Sequence, residues 1–221
     1  MLEKRIKEVF EIVKDGNNLG EDITVVGASK TMSAEVINSA ISCGLKVVAE
    51  NRVQEFREKS ELISPTASQH FIGHLQTNKV KYLVGKVDLI HSVDSLHLAQ
   101  EIDRVALNKG VKQAVLIEIN VGGELSKSGF SLENALENIE KINLEYKNLC
   151  IKGLMAMMPK SDDEKLLTSL FDKMRALYDE CNNKGYNFTY LSMGMSNDYK
   201  LAIKHGSNMI RLGRTIFGER Q

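Results

Sequence analysis

The stretch ITVVGASKT at residues 23–31 decides the class of fold. Its small and β-branched residues are typical of a short buried strand, and the run ends at a lysine, Lys30. Side chains along a strand alternate between its two faces. If Lys30 points inward, Ala28 and Val26 point inward with it, and Ser29 points outward. The stretch therefore predicts a buried strand with a lysine at its carboxyl end.

Runs of the same character recur along the chain, and amphipathic helical patterns lie between them. Strands are predicted at 23–29, 45–50, 69–74, 89–94, 114–121, 150–158, 189–194 and 208–213. Helices are predicted at the N-terminus and at 33–43, 51–62, 95–109, 131–146, 162–184 and 196–205. Strands that alternate with helices form parallel sheets with right-handed crossovers. Eight such units predict a (β/α)₈ TIM barrel with an extra N-terminal helix, as a single domain over residues 1–221.

An open Rossmann-like sheet is the alternative fold. Its glycine-rich fingerprint would follow the first strand, but GASKTMSAE at 27–35 has a single glycine. The barrel is therefore favoured. In such barrels the active site lies at the carboxyl ends of the strands, and the loops after the seventh and eighth strands often bind phosphate.

Several residues mark the predicted helix ends. Ser131 and Ser161 stand where N-terminal caps are expected. Gly110, Gly185 and Gly206 follow the last helical turns, where a left-handed residue commonly ends a helix. These boundaries support the alternation of strands and helices.

The composition excludes several classes of protein. Lysine plus arginine and aspartate plus glutamate number 29 each, so no basic excess indicates nucleic-acid binding. No apolar run reaches the roughly 20 residues of a membrane span. The three cysteines are widely spaced and fit neither a disulfide framework nor a zinc site. We therefore expect a cytoplasmic protein with reduced thiols.

Lys30 has two interpretations. A lysine above an apolar barrel floor loses hydration, which lowers its pKa and favours the neutral amine that forms Schiff bases with aldehydes. Alternatively, the side chain leaves the sheet and reaches solvent, which is the commoner case for a single lysine. Two loops favour the first interpretation. In LSMGMSNDYKLAIKHG at 191–206 Ser196 can cap a helix, and RLGRT at 211–215 follows the last strand, so both loops can bind an anion.

Seven motifs run in order through nearly the whole chain. They are ASKT at 28–31, ENRVQE at 50–55, HFIGHLQTNK at 70–79, INVGGELSKSGF at 119–130, GLMAMMP at 153–159, LSMGMSND at 191–198 and IRLGRTIFGER at 210–220. With them the chain resembles the pyridoxal-phosphate homeostasis protein family. This family has the alanine-racemase-like barrel of fold-type III proteins that bind pyridoxal 5′-phosphate (PLP).

The resemblance implies a set of cofactor-binding residues. Lys30 would form the Schiff base, and Arg211 would face the pyridine nitrogen. The phosphate would lie among Ser192, Gly194, Ser196 and the backbone of Gly213, Arg214 and Thr215, and Met193 would belong to the cofactor-binding set. Asn51 would lie near the phenolic side of the ring, with His74 and Asn78 near the mouth of the barrel.

Two positions depart from the family pattern. Arg214 stands where the family commonly has serine or threonine, so a hydroxyl contact to phosphate is lost. The guanidinium either replaces it with a charge-assisted bond or swings away and leaves backbone N–H groups. Ala49 stands where a glycine usually precedes EN, which puts little in doubt.

The resemblance favours a cofactor carrier over an enzyme. A guanidinium such as Arg211 cannot accept a proton, so it would leave the pyridine ring a weak electron sink. Alanine racemase also uses a tyrosine base and a further β domain, for which a chain that ends at Gln221 has no room. Tyr82, Tyr199 and the histidines are not in matching positions. We therefore expect a monomer without catalytic residues that holds PLP for vitamin B6 and amino-acid homeostasis and hands it to PLP-dependent apoenzymes.

Two enzyme alternatives stay open. One is a PLP-dependent racemase-like enzyme. The other is a class I aldolase, in which Lys30 binds a substrate carbonyl and no cofactor. A metal site is not expected, because His70 and His74, which would share one strand face, have no acidic third ligand nearby.

Overall fold

The computed structural model describes residues 1–124 and 127–219. Eight parallel strands follow one another in the order β4-β3-β2-β1-β9-β8-β7-β5, and pairing of β4 with β5 closes them into a barrel. The two-residue strand β6 pairs with β5 beside this ring. The predicted (β/α)₈ barrel is thus confirmed. The strands are β1 (Thr24–Ala28), β2 (Val47–Glu50), β3 (Ser68–Phe71), β4 (Leu89–Val93), β5 (Gln113–Asn120), β6 (Phe130–Ser131), β7 (Leu149–Ala156), β8 (Tyr190–Ser192) and β9 (Met209–Leu212).

Helices cover the outside of the barrel. They are α1 (Leu2–Val13), α2 (Ala34–Ser42), α3 (Val53–Lys59), α4 (Leu96–Lys109), α5 (Ala135–Glu145), α6 (Glu164–Asn183), α7 (Tyr199–Lys204) and α8 (Arg214–Phe217). The extra N-terminal helix is α1, which buries Ile6 and Val9 against β1, α2 and α8. Full burial of such a side chain contributes roughly 1.5–3 kcal/mol. Within the described residues, none of the helices has the length and apolar character needed to cross a bilayer.

Some predicted boundaries are wrong. β3 ends at Phe71 instead of continuing to residue 74, because the chain bends away at Gly73. A Cβ atom there would lie 2.0 Å from the Asn51 carbonyl oxygen, so no other residue fits. A short 3₁₀ helix, Thr77–Tyr82, then leads to β4. His70 and His74 consequently do not share a strand face.

The side-chain caps predicted at two helix N-termini are also wrong, whereas the glycines predicted after three helix C-termini are right. Asp163, not Ser161, caps α6 by accepting from the N–H groups of Lys165 and Leu166, and the Ser131 side chain makes no cap bond. A carboxylate two residues later in the sequence competes better for these N–H groups because it is charged. The glycines predicted to be left-handed are so, with φ of 64° at Gly110, 89° at Gly185 and 85° at Gly206.

The barrel interior has an apolar part and a polar part. The apolar part contains Val26, Val47, Ala49, Leu89, Leu116, Met155 and Met209. Residues two positions further along a strand face the same side and lie nearer its carboxyl end. At these positions buried polar side chains follow: His91 after Leu89, Glu118 after Leu116 and Arg211 after Met209. The floor beneath the strand ends is therefore polar at β4, β5 and β9, whereas Ala28 and Ala49 keep it apolar at β1 and β2.

Candidate functional site

A cleft with a volume of about 1530 Å³ opens at the carboxyl ends of the strands. This is large enough for a cofactor-sized molecule. Residues from both ends of the chain meet there. Of the residues that the resemblance implies, it is lined by Lys30, Asn51, His74, Ser196, Arg211, Gly213 and Arg214.

Lys30 lies in the turn after β1 and is half-buried at the cleft. The alternation predicted for β1 is confirmed, because Val26 packs inside the barrel and Val25 packs against the helices. The Ser29 hydroxyl points outward and donates to Glu50 at 2.8 Å. Because β1 ends at Ala28, the direction of Lys30 is set by the turn and not by the strand.

Arg211 is a buried cation at the floor of the cleft. Its Nη1 donates to the carbonyl oxygen of Ser192 at 2.9 Å and to the Ser192 hydroxyl at 2.8 Å, and Nη2 donates to the Ala156 carbonyl at 3.0 Å. Burial lowers the pKa of Arg211 to about 10. The guanidinium thus stays charged at neutral pH and is held in place by β7 and β8.

A chain of polar side chains crosses the barrel from Arg211. The Ser192 hydroxyl lies 3.4 Å from His91 Nδ1, and His91 Nε2 lies 3.0 Å from His70 Nδ1. Burial lowers the pKa of His70 to about 4, and burial, His70 and Arg211 hold the pKa of His91 well below its usual range. Both imidazoles are therefore neutral at physiological pH. His70 is thus held inside the barrel by a hydrogen bond to His91.

Glu118 on β5 is the acidic group of the interior. Burial raises its pKa to about 7, with a further increase from Asp94 and an opposing effect of Arg211. Asp94 in turn lies 3.2 Å from His74 Nδ1 at the cleft. A carboxyl that titrates near neutral pH thus stands between a buried cation and a second carboxylate.

The loop after β8 differs from its sequence interpretation. Gly194 has φ 93°, and a Cβ atom there would lie 2.7 Å from the Ala202 side chain, so the missing side chain makes room for α7. Met193 and Ser192 are fully buried beneath the cleft. The helix starts later than predicted, with Asp198 before it, and Asp198 accepts from the Met195 N–H at 2.6 Å.

Ser196 and Arg214 join the loops after β8 and β9 at the edge of the cleft. The Ser196 hydroxyl does not cap α7 but accepts from the Thr215 N–H at 3.3 Å. Arg214 Nη2 donates to Asn197 Oδ1 at 2.7 Å. Arg214 and Asn197 both line the cleft, and the contact of the Arg214 guanidinium with a phosphate stays a prediction.

The two asparagines have different surroundings. Asn51 lines the cleft, and its buried Oδ1 has no hydrogen-bond partner in the part of the chain that the structure describes. A buried amide without its partner costs free energy that a polar ligand in the cleft would recover. Asn78 is exposed on the Thr77–Tyr82 helix and does not line the cleft.

His91 was missed in the sequence. Glu118 could be read there as an acid-base group, although an exposed glutamate or a salt bridge inside the barrel was the commoner case, and the structure shows it buried. The signal for both residues is a polar residue two positions after an apolar residue in a predicted strand. Tyr82 and Tyr199 were considered as bases, but Arg57 stacks 4.4 Å from the centre of the Tyr82 ring and Tyr199 is buried under α1 and α2. Over residues 1–124 and 127–219, no three His, Cys, Asp or Glu side chains are grouped as metal ligands.

The fold and the cleft define a barrel of the alanine-racemase class, and the family model "Alanine racemase, N-terminal domain" matches residues 25–221. The chain is 45 % identical over 221 residues to the pyridoxal phosphate homeostasis protein of Aquifex aeolicus (strain VF5). The alignment covers 99 % of this chain and 95 % of that protein. The chain belongs to the pyridoxal phosphate homeostasis protein family.

Solved structures agree with this assignment. The structure of PipY of Synechococcus elongatus PCC7942 without PLP superposes on this chain with a TM-score of 0.89 at 28 % sequence identity. The superposition covers 99 % of this chain and 100 % of PipY. The structure of PipY with PLP bound has a TM-score of 0.86 at the same identity and coverage. The similarity thus extends over the whole barrel.

Proposed function

We propose that this chain binds PLP through a Schiff base on Lys30 and takes part in PLP and amino-acid homeostasis without turning over a substrate. The observation that carries the proposal is that Lys30 and the buried Arg211 line the same cleft at the strand ends. Bound PLP supplies an aldehyde, which is the group that a lysine amine attacks. The names of the relatives, and a PipY structure with PLP bound, support the same cofactor.

The residues present fit this cofactor. Arg211 offers a fixed positive charge at the floor, and Asn51 Oδ1, which has no hydrogen-bond partner among the described residues, offers a polar contact in the same cleft. Ser196 in the loop after β8 and Arg214 after β9 lie at the edge of the cleft, where they would hold the phosphate. Ser192, Met193, Gly194, Gly213 and Thr215 complete the proposed set, with Ser192 acting through Arg211 and Gly194 through the packing of α7. Asn78 is not part of this set, because it does not line the cleft.

The carrier role rests on the positions of the candidate bases. Tyr82 and Tyr199 do not line the cleft. A guanidinium beside the pyridine nitrogen donates a hydrogen bond but keeps its proton, so the ring stays unprotonated and is a weak electron sink. A cytoplasmic monomer that hands PLP to apoenzymes, as one domain over residues 1–221, is the simplest assignment. An assay for release of D-amino acids by the PLP-loaded protein tests the racemase-like alternative.

The proposal is tested by the absorption spectrum and by the site of reduction. We expect added PLP to give a violet-edge band that borohydride bleaches, with the mass adduct on the peptide that contains Lys30. Lys30→Ala should abolish the band. Lys160→Ala, which removes another lysine of the cleft, is the matched control and should keep it. A colourless protein, or an adduct on Lys160, would refute the proposal and favour the aldolase alternative or a different lysine.

A further inference from the structure

The turn from Ser29 to Met32 carries Lys30 and has a rare backbone conformation. The Met32 N–H donates to the Ser29 carbonyl at 3.0 Å, so Lys30 and Thr31 occupy the two central positions of the turn. Thr31 has φ 67°, which is unusual for a β-branched residue. Turns with a positive φ at this position normally use glycine. Other contacts must therefore hold Thr31 in place.

The buried Glu50 of β2 and the partly buried Glu55 and Lys59 of α3 supply these contacts. They bind the three other residues of the turn, Ser29, Thr31 and Met32. Glu50 accepts from the Ser29 hydroxyl at 2.8 Å, Glu55 accepts from the Thr31 N–H at 2.7 Å, and Lys59 donates to the Met32 carbonyl at 3.0 Å.

Lys59 joins the two carboxylates. Its Nζ lies 2.7 Å from Glu50 Oε1 and 3.2 Å from Glu55 Oε2, and all three side chains are at most 18 % exposed. Partial burial alone would raise the pKa of Glu55, but the Thr31 N–H, Lys59 and Arg52 hold it below its usual value. Glu55 is therefore an anion, and its bond to the Thr31 N–H is charge-assisted.

We infer that Glu55 is a positioning residue for Lys30: anchored by Lys59, it holds Thr31 at positive φ and so fixes the turn that presents the lysine to the cleft. The inference rests on the proposed function, because it assigns a purpose to the direction of Lys30. Glu55 touches neither the cleft nor a ligand and acts through the backbone of its neighbour. The bond spans 24 residues of sequence and joins the turn to the first helical turn of α3.

A purely structural role would also explain these contacts, since they attach α3 to the barrel. The two roles differ in their response to Thr31→Gly. A glycine adopts positive φ without strain, so the turn would no longer need the carboxylate. If Glu55 only attaches α3, the same substitution changes nothing.

The experiment is a double-mutant cycle of Glu55→Ala and Thr31→Gly, read by the rate of Schiff-base formation with added PLP. We expect Glu55→Ala to slow the reaction about tenfold, as for one charge-assisted hydrogen bond lost. Thr31→Gly alone should react within about twofold of the parent, and the double variant should match it. Glu58→Ala is the matched control, because Glu58 is exposed on the same helix and pairs with Gln54. An equal slowing by Glu55→Ala in both backgrounds, or none in the parent, would overturn the inference.

Hydrogen exchange of the amide at position 31 separates this inference from the proposed function. The amide is bonded to Glu55, so its exchange should accelerate in Glu55→Ala and not in Glu58→Ala, with no PLP present. If the parent forms no Schiff base, the proposed function fails while exchange still reports on the turn. If the parent reacts but Glu55→Ala exchanges as slowly as the parent, the positioning role alone is refuted.

Discussion

Arg211 donates from one guanidinium nitrogen to both oxygens of Ser192, at 2.9 Å to the carbonyl and 2.8 Å to the hydroxyl. The hydroxyl oxygen thus accepts from a cation, which leaves its own hydrogen to be donated elsewhere. His91 Nδ1 is 3.4 Å away and is the acceptor that lies in reach. Arg211 therefore sets the direction of the hydrogen bonds that lead to His70.

This direction predicts the tautomer of His91. If Nδ1 accepts from Ser192, the proton of the neutral ring lies on Nε2 and is donated to His70 Nδ1 at 3.0 Å. We expect ¹⁵N NMR to find both rings neutral at pH 5.5, because the pKa of His70 is about 4 and that of His91 is well below its usual range. In Ser192→Ala the preference should weaken. A proton on His91 Nδ1 in the parent would contradict the proposed direction.

Glu118 predicts how stability depends on pH in the PLP-free protein. Its pKa is raised from 4.5 to about 7, so between these values the folded chain holds a proton that the unfolded chain has released. The contribution of Glu118 to the free energy of unfolding therefore falls as the pH rises through this window. Glu118→Gln removes the effect. We expect the variant to match the parent near pH 4 and to be more stable by about 3 kcal/mol at pH 8.

Urea unfolding at several pH values measures this difference. Glu137→Gln, which changes an exposed glutamate on α5, is the matched control. A difference between Glu118→Gln and the parent that is the same at pH 4 and pH 8 would show that Glu118 does not titrate in this range.

Arg214 predicts a salt-dependent affinity for PLP. Its guanidinium is tethered to Asn197 at the edge of the cleft, where a phosphate would gain a charge-assisted contact. Because Arg214 is exposed, we expect Arg214→Ser to weaken PLP binding only about fivefold at low salt and to reduce its dependence on ionic strength. Equilibrium titration followed by absorbance measures both.

Pyridoxal is the matched ligand for this test, since it carries the aldehyde and no phosphate. Its affinity should be the same for the parent and for Arg214→Ser. An equal loss for both ligands would mean that Arg214 acts on the shape of the loop and not on the phosphate.

Substitution by alanine should lower the free energy of unfolding by different amounts at Gly194 and Gly110. Both have positive φ, but a Cβ atom at Gly194 would meet α7 at 2.7 Å, and at Gly110 it would meet nothing within 4 Å. Gly110→Ala should lower the free energy of unfolding by about 1 kcal/mol through backbone strain. Gly194→Ala should cost about 3 kcal/mol or more, because α7 must also move. Similar losses in urea unfolding would show that the contact with α7 relaxes freely.

Local patterns explain how much of the fold was predictable. The alternation of β-branched runs and amphipathic runs predicted the eight barrel strands and the N-terminal helix, because the period of apolar residues is set within each element. Gly110, Gly185 and Gly206 predicted helix ends because the left-handed conformation that favours glycine is also a local property. Boundaries were wrong where distant groups meet, as at Gly73, where the backbone bends so close to the Asn51 carbonyl that no Cβ atom fits.

The sequence by itself determined the class of barrel, the lysine that follows its first strand and the family motifs that suggest PLP. Only the tertiary structure decided which side chains surround that lysine. The Glu55 bond to Thr31 and the polar chain from Arg211 to His70 join residues far apart in sequence. Such contacts depend on how neighbouring strands and helices are placed, and no local period encodes that placement. The same reason explains why Glu118, an ordinary glutamate in the sequence, has a pKa near neutrality in the folded barrel.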